Sequence, residues 1–534
     1  MILIHSFIIV NCYSLKSIIL KNSIIENITD MSYMFYQCSS LSSIDLSLLN
    51  APNLKSTVYM FSFCSNLEEV YMSDYNAPNL NDTNHMFYND KKLNFIDISN
   101  FYCPNLRNMQ SMFYYCSGLD IIDITNFNTE NVTNMMSLFS QCSSLKNIDL
   151  SDFNTQNVLY MDYMFAHCSS LKSIDISHFN LEKTLSMGSM FYQCSSLNSI
   201  NLSNLNAKNL KSMRYMFYYC NTLKSINLSN FNAKNVTDMS YMFCECSSLT
   251  SIDLSSFITE KLENLDYTFS HCRSLLSLDI NFDTKNLISM IGMFRYCSQL
   301  TYIDLSNFET QNLKSVSETF YGCSSLQSIN LNNFNAQNLN SSSYMFYGCG
   351  SLTSINLSNL DTKNIVDMSY MLGYCRSLTS IDLSNHKNEN LKIMDFMFVH
   401  CTSLKTINFN NFKTPKIESM NGLFKECNSL NNINLTEFDN KNLRNISSLF
   451  ENCISLTSID ISNFNGKYIR RIDYIFYSCP NLTYIDISGL PIKAGVPYVF
   501  NDIISSKGQI KIKQKLADLI DSQIPSNWTK MIVD

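Results

Sequence analysis

CSSLKNIDLSDFNTQNVLYMDYMFAH, residues 142–167, is one turn of a pattern that starts again at Cys168. Its apolar residues are Cys142, Leu145, Ile148, Leu150, Phe153, Val158, Met161, Met164 and Phe165. The segment Ile148-Asp149-Leu150-Ser151 alternates apolar and polar, which predicts a short half-buried strand. Met161, Met164, Phe165 and Cys168 fall at i, i+3, i+4 and i+7, which predicts a helix of about two turns. One unit therefore reads as strand, turn, short helix and return.

The unit recurs along nearly the whole chain. Cysteines stand at 12, 38, 64, 116, 142, 168, 194, 220, 246, 272, 297, 323, 349, 375, 401, 427, 453 and 479. The step is 26 residues, except for one of 25 (Cys272 to Cys297) and one doubled step in which Asp90 occupies the slot. A supersecondary unit repeated this strictly stacks on copies of itself and does not fold round a central core. The predicted class is an α/β solenoid, a right-handed superhelix with one short parallel strand and one short helix per coil. Residues 1–490 form the repeat array, its first coil partial, and 491–534 form a C-terminal cap. In that tail Gly508–Ile512 alternates like a strand, Lys515–Ser522 reads as a helix, and Trp528 is the only tryptophan. A terminal coil leaves an apolar end and a strand edge that need cover.

Composition narrows the function. Apolar content is 45% and charged content 16%, with a net charge of −7 and no basic stripe, which argues against nucleic acid. No apolar run is long enough to span a membrane. Met1–Val10 is apolar but short, without a positive start, and runs into an in-frame repeat; it reads as part of a half-repeat more than as a secretion signal.

Leu145-x-x-Ile148-x-Leu150 is an LxxLxL core, although Phe153 stands where a leucine-rich repeat usually has Asn or Cys. With the MFxxC element, as at Met242-Phe243, and the IDLSxFN run, the unit resembles the BspA-like leucine-rich-repeat surface proteins, in their mycoplasma-type form of about 25 residues. The resemblance covers about residues 8–490. It implies a cell-surface or extracellular protein that binds proteins or glycans on another cell or matrix without catalysis. The alternative is a cytoplasmic scaffold for protein–protein interactions.

No catalytic, cofactor or metal site is read from the residues. The cysteine column is expected to be buried and unpaired, because stacked side chains point the same way and neither a disulfide nor a tetrahedral zinc site fits that arrangement. His167, His271 and His400 adjoin ladder cysteines but lie several coils apart, so they are read as solvent-facing variable positions. Asn residues recur fifteen positions after the cysteine slot, among them Asn53, Asn131, Asn157 and Asn364, and are expected to turn inward and satisfy backbone groups of neighbouring coils.

Two columns are candidate binding surfaces. One is the outward strand position, which carries Asp97, Asp123, Asp149, Asp175, Asp253, Asp279 and Asp304. Stacked carboxylates repel, which calls for raised pKa values, cations or serine hydroxyl donors, with calcium as a lesser candidate ligand. The other is a tyrosine column, including Tyr163, Tyr215 and Tyr241, placed off the predicted helix's core face.

Overall fold

The computed structural model describes residues 10–384, 386–436, 438–491, 498–500, 503 and 507–533. Most of Met1–Val10 and parts of the 491–534 segment lie outside the described residues. The chain divides into two compact units, Met1–Leu262 with Cys272–Asp283, and Glu263–His271 with Thr284–Asp534. Each is a parallel β-solenoid with coils of about 26 residues.

In the first unit, β1 (Ser17–Ile19), β2 (Ser43–Asp45), β3 (Glu69–Tyr71), β4 (Phe95–Asp97) and β5 (Ile121–Asp123) form one parallel sheet. β6 (Ser199–Asn201) pairs with β7 (Ser225–Asn227), and β8 (Ser251–Leu254) with β9 (Ser277–Ile280). In the second unit β10 (Tyr302–Asp304) pairs with β11 (Ser328–Asn330), and β12 (Ser380–Asp382) with β13 (Thr406–Asn408). Register advances by one repeat per strand, as in Ser17↔Ser43 and Ser43↔Glu69. The segment closing the second unit is a sheet of β14 (Ser458–Asp460), β15 (Tyr484–Asp486), β16 (Gly508–Lys513) and β17 (Trp528–Val533), with α1 (Gln514–Ile520) between its last two strands. The strand and helix read in the tail are both present.

A strand in every coil is not. Residues 148–151, the segment on which the strand was predicted, form none, although Leu150 is buried and Asp149 and Ser151 are exposed as the alternation requires. A three-residue strand makes only a couple of ladder bonds with each neighbour, so a slight parting of the rungs removes the pairing without moving the core. The stack holds elsewhere. Single parallel bridges run Asn108↔Asn134↔Tyr160↔Ser186↔Ser212 straight through the coils that lack strands.

The helix per coil is the larger correction. Residues 161–168 are a run of turns, and α1 is the only α-helix among the described residues. Within this run Met164, Ala166 and Cys168 donate their N–H groups three residues back, to the carbonyls of Met161, Tyr163 and Phe165 (3.0–3.2 Å). The residues between them donate to the next coil: Tyr163 to Gly188 O at 3.0 Å, Phe165 to Met190 O at 2.9 Å and His167 to Tyr192 O. A helix would bond every N–H to the carbonyl four residues earlier. Here a stacked coil supplies carbonyls at the right height, and the chain uses them. The cost is a left-handed residue at two places, Tyr163 (φ 57°) and His167 (φ 61°), which sterics oppose by roughly 1–2 kcal/mol each. The apolar spacing found the correct buried face even so, since Met161, Met164, Phe165 and Cys168 are all buried.

Side chains repeat in columns. Phe35, Phe61, Phe87, Phe113, Phe139, Phe165, Phe191, Phe217 and Phe243 stack ring on ring at centroid spacings of 5.4–5.7 Å. Asn amides tie the outer turns: Asn53 Nδ2 donates to Glu26 O at 2.7 Å, Asn131 to Pro104 O at 2.8 Å and Asn364 to Gln337 O at 2.8 Å. These amides serve the preceding coil as expected, but from an exposed position and not turned inward.

Candidate binding surfaces

The cysteine column is chemically quiet. None of the twenty cysteines forms a disulfide, and every one except Cys12 is buried. Ladder thiols donate to the carbonyl of a residue in the preceding coil, as Cys194 Sγ to Phe165 O at 3.0 Å and Cys323 Sγ to Phe294 O at 3.0 Å. Burial pushes both thiols up to about 12, so at neutral pH they are neither nucleophiles nor metal ligands. Among the described residues no group of three or more His, Cys, Asp or Glu is placed to hold a metal ion. In native buffer an iodoacetamide titration should therefore alkylate about one thiol, Cys12, and all twenty in denaturant. Rapid native labelling of several thiols is the outcome that contradicts the buried column.

The histidines beside the column are not freely solvent-facing. His167 packs edge-on to Tyr192, His271 lies 4.7 Å from the Tyr296 ring centroid, and His400 lies against Tyr374 and 2.7 Å from a Glu426 carboxylate oxygen. Burial lowers the pKa of His167, and of His400 in spite of Glu426.

The aspartate column is held by serine. Asp149 accepts the Ser151 N–H at 2.9 Å, Asp175 that of Ser177 at 2.9 Å, Asp253 that of Ser255 at 2.9 Å and Asp304 that of Ser306 at 2.8 Å. Asp97 accepts from Ser99 and Asp123 from Thr125, both at 3.0 Å. Asp279 lies exposed in β9. Asp149, Asp175, Asp253 and Asp304 are not raised by their neighbours: the Ser hydroxyl and N–H hold Asp175, Asp253 and Asp304 below the usual range, and for Asp149 the Ser151 N–H leads. Asn201 makes the same bond to Ser203 N at 3.1 Å, so the turn needs an acceptor and not a charge.

The tyrosine column sits at the left-handed position of the turn run. Tyr163, Tyr215 and Tyr241 have φ of 57°, 56° and 58°. Tyr215 and Tyr241 stack at 4.7 Å, with the Arg214 guanidinium 4.9 Å from the Tyr215 centroid and 6.0 Å from that of Tyr241. Ser189 holds the rung between Tyr163 and Tyr215, which leaves Tyr163 46% exposed. A second aromatic column three residues on brings Tyr192 and Tyr218 together at 5.0 Å and Tyr215 and Tyr218 at 5.6 Å. Sequence reasoning missed this second column, although Tyr192, Tyr218, Tyr321 and Tyr347 recur at the repeat period.

A family model described as "Mycoplasma protein of unknown function, DUF285" matches residues 7–122, 108–226, 198–301, 276–354, 314–408 and 393–493. The chain belongs to this family. The mycoplasma-type repeat read from the MFxxC and LxxLxL elements is thus the DUF285 repeat. Among curated proteins nothing matches DUF285 chain 1–534. Solved structures similar to it include a leucine-rich-repeat protein from Bacteroides ovatus, 17% identical, covering 95% of this chain and 88% of that one, with a TM-score of 0.30. Another, from Eubacterium ventriosum, is 14% identical over 83% and 84% of the two chains, with a TM-score of 0.24. An internalin from Listeria monocytogenes is 12% identical over 79% and 83%, with a TM-score of 0.18. Among the described residues no helix is long and apolar enough to cross a membrane.

Proposed function

We propose that this chain is a non-catalytic binding protein of the cell surface or extracellular space, presenting repeated side-chain columns to proteins or glycans on another cell or matrix. The observation that supports it most is the part-exposed tyrosine column of the first unit, with Arg214 over Tyr215 and Tyr241. Tyrosine and arginine are enriched at binding hot spots, tyrosine because it buries much area with few rotamers to freeze. The strand-face column of Asp97, Asp123, Asp149, Asp175, Asp253, Asp279 and Asp304 is the second candidate surface on this reading. Residues 1–490 would then be the binding array, and 491–534 its cap; the burial of Trp528 against Gly508 supports the latter, since a Cβ on Gly508 would lie 2.3 Å from the indole. Protease shaving of intact source cells should release peptides of this chain before lysis. Replacing Tyr163, Tyr215 and Tyr241 with Ser should weaken attachment to a partner surface about tenfold or more while leaving the thermal midpoint nearly unchanged. Unaltered attachment would discard the tyrosine column as the contact.

One observation favours a cytoplasmic scaffold instead. Twenty cysteines without a single disulfide suit a reducing compartment better than an oxidising one. Peptides that appear only after lysis would favour that reading.

A further inference from the structure

In the second unit the position just after the strand is a buried aromatic in coil after coil: Phe308, Phe334, Phe412, Phe438 and Phe464. Leu360 and His386 break the column in two successive coils. Strand pairing lapses at the same place, since β11 pairs only with β10 and β12 only with β13, and residues 354–356 between them form no strand. Leu360 and His386 both line an open cavity of about 600 Å³ at this place. That volume lies within the range of small-ligand sites. His386 spans its floor, with Nδ1 3.0 Å from Leu383 O and Nε2 3.2 Å from Leu357 O in the preceding coil.

The walls are polar and incompletely used. Thr362 lines the cavity, while its hydroxyl is itself buried out of reach of solvent and has no partner. At the same register Thr129 exchanges two bonds with the backbone of Asn154, at 3.1 and 2.8 Å. Thr310 and Thr414 are also unpartnered, but Thr362 is the one of the three that lines this cavity. Asp361, part-exposed, accepts the Lys363 N–H through Oδ1, and the exposed Asn356 accepts that of Ser358 through Oδ1. Asp382, shared with Ser384 and Asn408, and the exposed Lys387 complete the wall. Leu360 supplies an apolar patch.

Mixed donors and acceptors at several points round a small apolar patch match a ring whose hydroxyls both donate and accept and whose C–H face is apolar. Two carboxylates against one ammonium disfavour an anionic ligand. We propose that this cavity binds a neutral pyranose, either a free sugar or the end of a glycan chain. The proposal rests on the binding-protein reading above and gives it one defined site.

The test is saturation-transfer NMR and calorimetry on the full chain with D-glucose, D-galactose, D-mannose and N-acetylglucosamine, and with D-glucuronate as the anionic control. At least one neutral sugar should bind saturably, and glucuronate about tenfold more weakly or not at all. Leu360→Phe with His386→Phe restores the aromatic rungs found in neighbouring coils, so it should fold and lose binding. Should it fail to fold, Asn356→Asp, which keeps the turn's acceptor and removes an exposed amide donor from the wall, should weaken binding about tenfold. Absence of binding by all four neutral sugars, or binding unchanged in the filled or Asp variant, overturns the proposal. Adherence to cells without sugar binding would defeat this site and leave the surface reading standing. Sugar binding lost on filling, in a chain that shaving places inside the cell, would keep the site and defeat the surface reading.

Discussion

Phe217→Ala should cost about 3–5 kcal/mol, and the damage should stay local. Phe217 is fully buried, with Phe191 stacked at 5.4 Å on one side and Phe243 at 5.6 Å on the other. Truncation deletes the ring and both stacking contacts, and the coils above and below cannot collapse into the gap, because their spacing is set by backbone bonds such as Phe217 N to Met242 O at 2.9 Å. In a stacked array stability is a sum of coil and nearest-neighbour contributions. Hydrogen exchange should therefore accelerate in the coils carrying Phe191, Phe217 and Phe243 and stay slow near Phe61. Phe217→Leu should be much milder, since Leu372 holds the same register in the second unit, fully buried, and accepts the Cys401 thiol at 3.1 Å. Uniform loss of protection across the first unit would show that its coils unfold as one and not as neighbours.

Asp90→Cys should do the opposite and stabilise the chain. Asp90 occupies the cysteine slot between Cys64 and Cys116 and is fully buried. Its Oδ1 accepts the Cys64 N–H at 2.7 Å, while Oδ2 has no partner. Burial pushes its pKa well above the ordinary carboxyl value, with the Cys64 N–H only partly opposing. A buried acceptor left unbonded costs about 1–3 kcal/mol, and a thiol in the slot would instead extend the donor column that runs through its neighbours. The pH dependence has a definite sign. A carboxyl whose pKa is raised on folding binds its proton more tightly in the folded chain, so its contribution is fully present below the unfolded value of about 4 and is lost as pH rises through the folded value. The wild type should thus lose stability from acid toward neutral pH relative to Asp90→Cys, and the gap between their thermal midpoints should widen over that interval. A constant gap, or a less stable Cys variant, would mean that Asp90 is not carried as a neutral acid.

Much of this protein was legible from one repeat. The 26-residue period announced a stack, and the spacing of Met161, Met164, Phe165 and Cys168 picked out the buried face, because burial depends on which side chains are apolar and how often they recur. The tail's strand and helix were readable for the same reason. The candidate surfaces were legible only as columns: that serine holds the aspartates follows from a turn geometry two residues long, visible once the Asp149–Ser151 bond is drawn. The cavity at Leu360 and His386 left a trace in the sequence as two missing aromatics, but a gap in a column becomes a space only when the rungs on either side are fixed.

The backbone of residues 161–168 was beyond the reach of a single repeat. An i, i+3, i+4, i+7 pattern is met equally by a helix and by a chain of turns, and local spacing cannot choose between them. The choice lay with the N–H groups of Tyr163, Phe165 and His167, whose acceptors are about 25 residues away in sequence and one coil away in space. Side-chain pattern is local and can be counted along the chain; a hydrogen-bond partner in the next coil exists only after the coils have stacked.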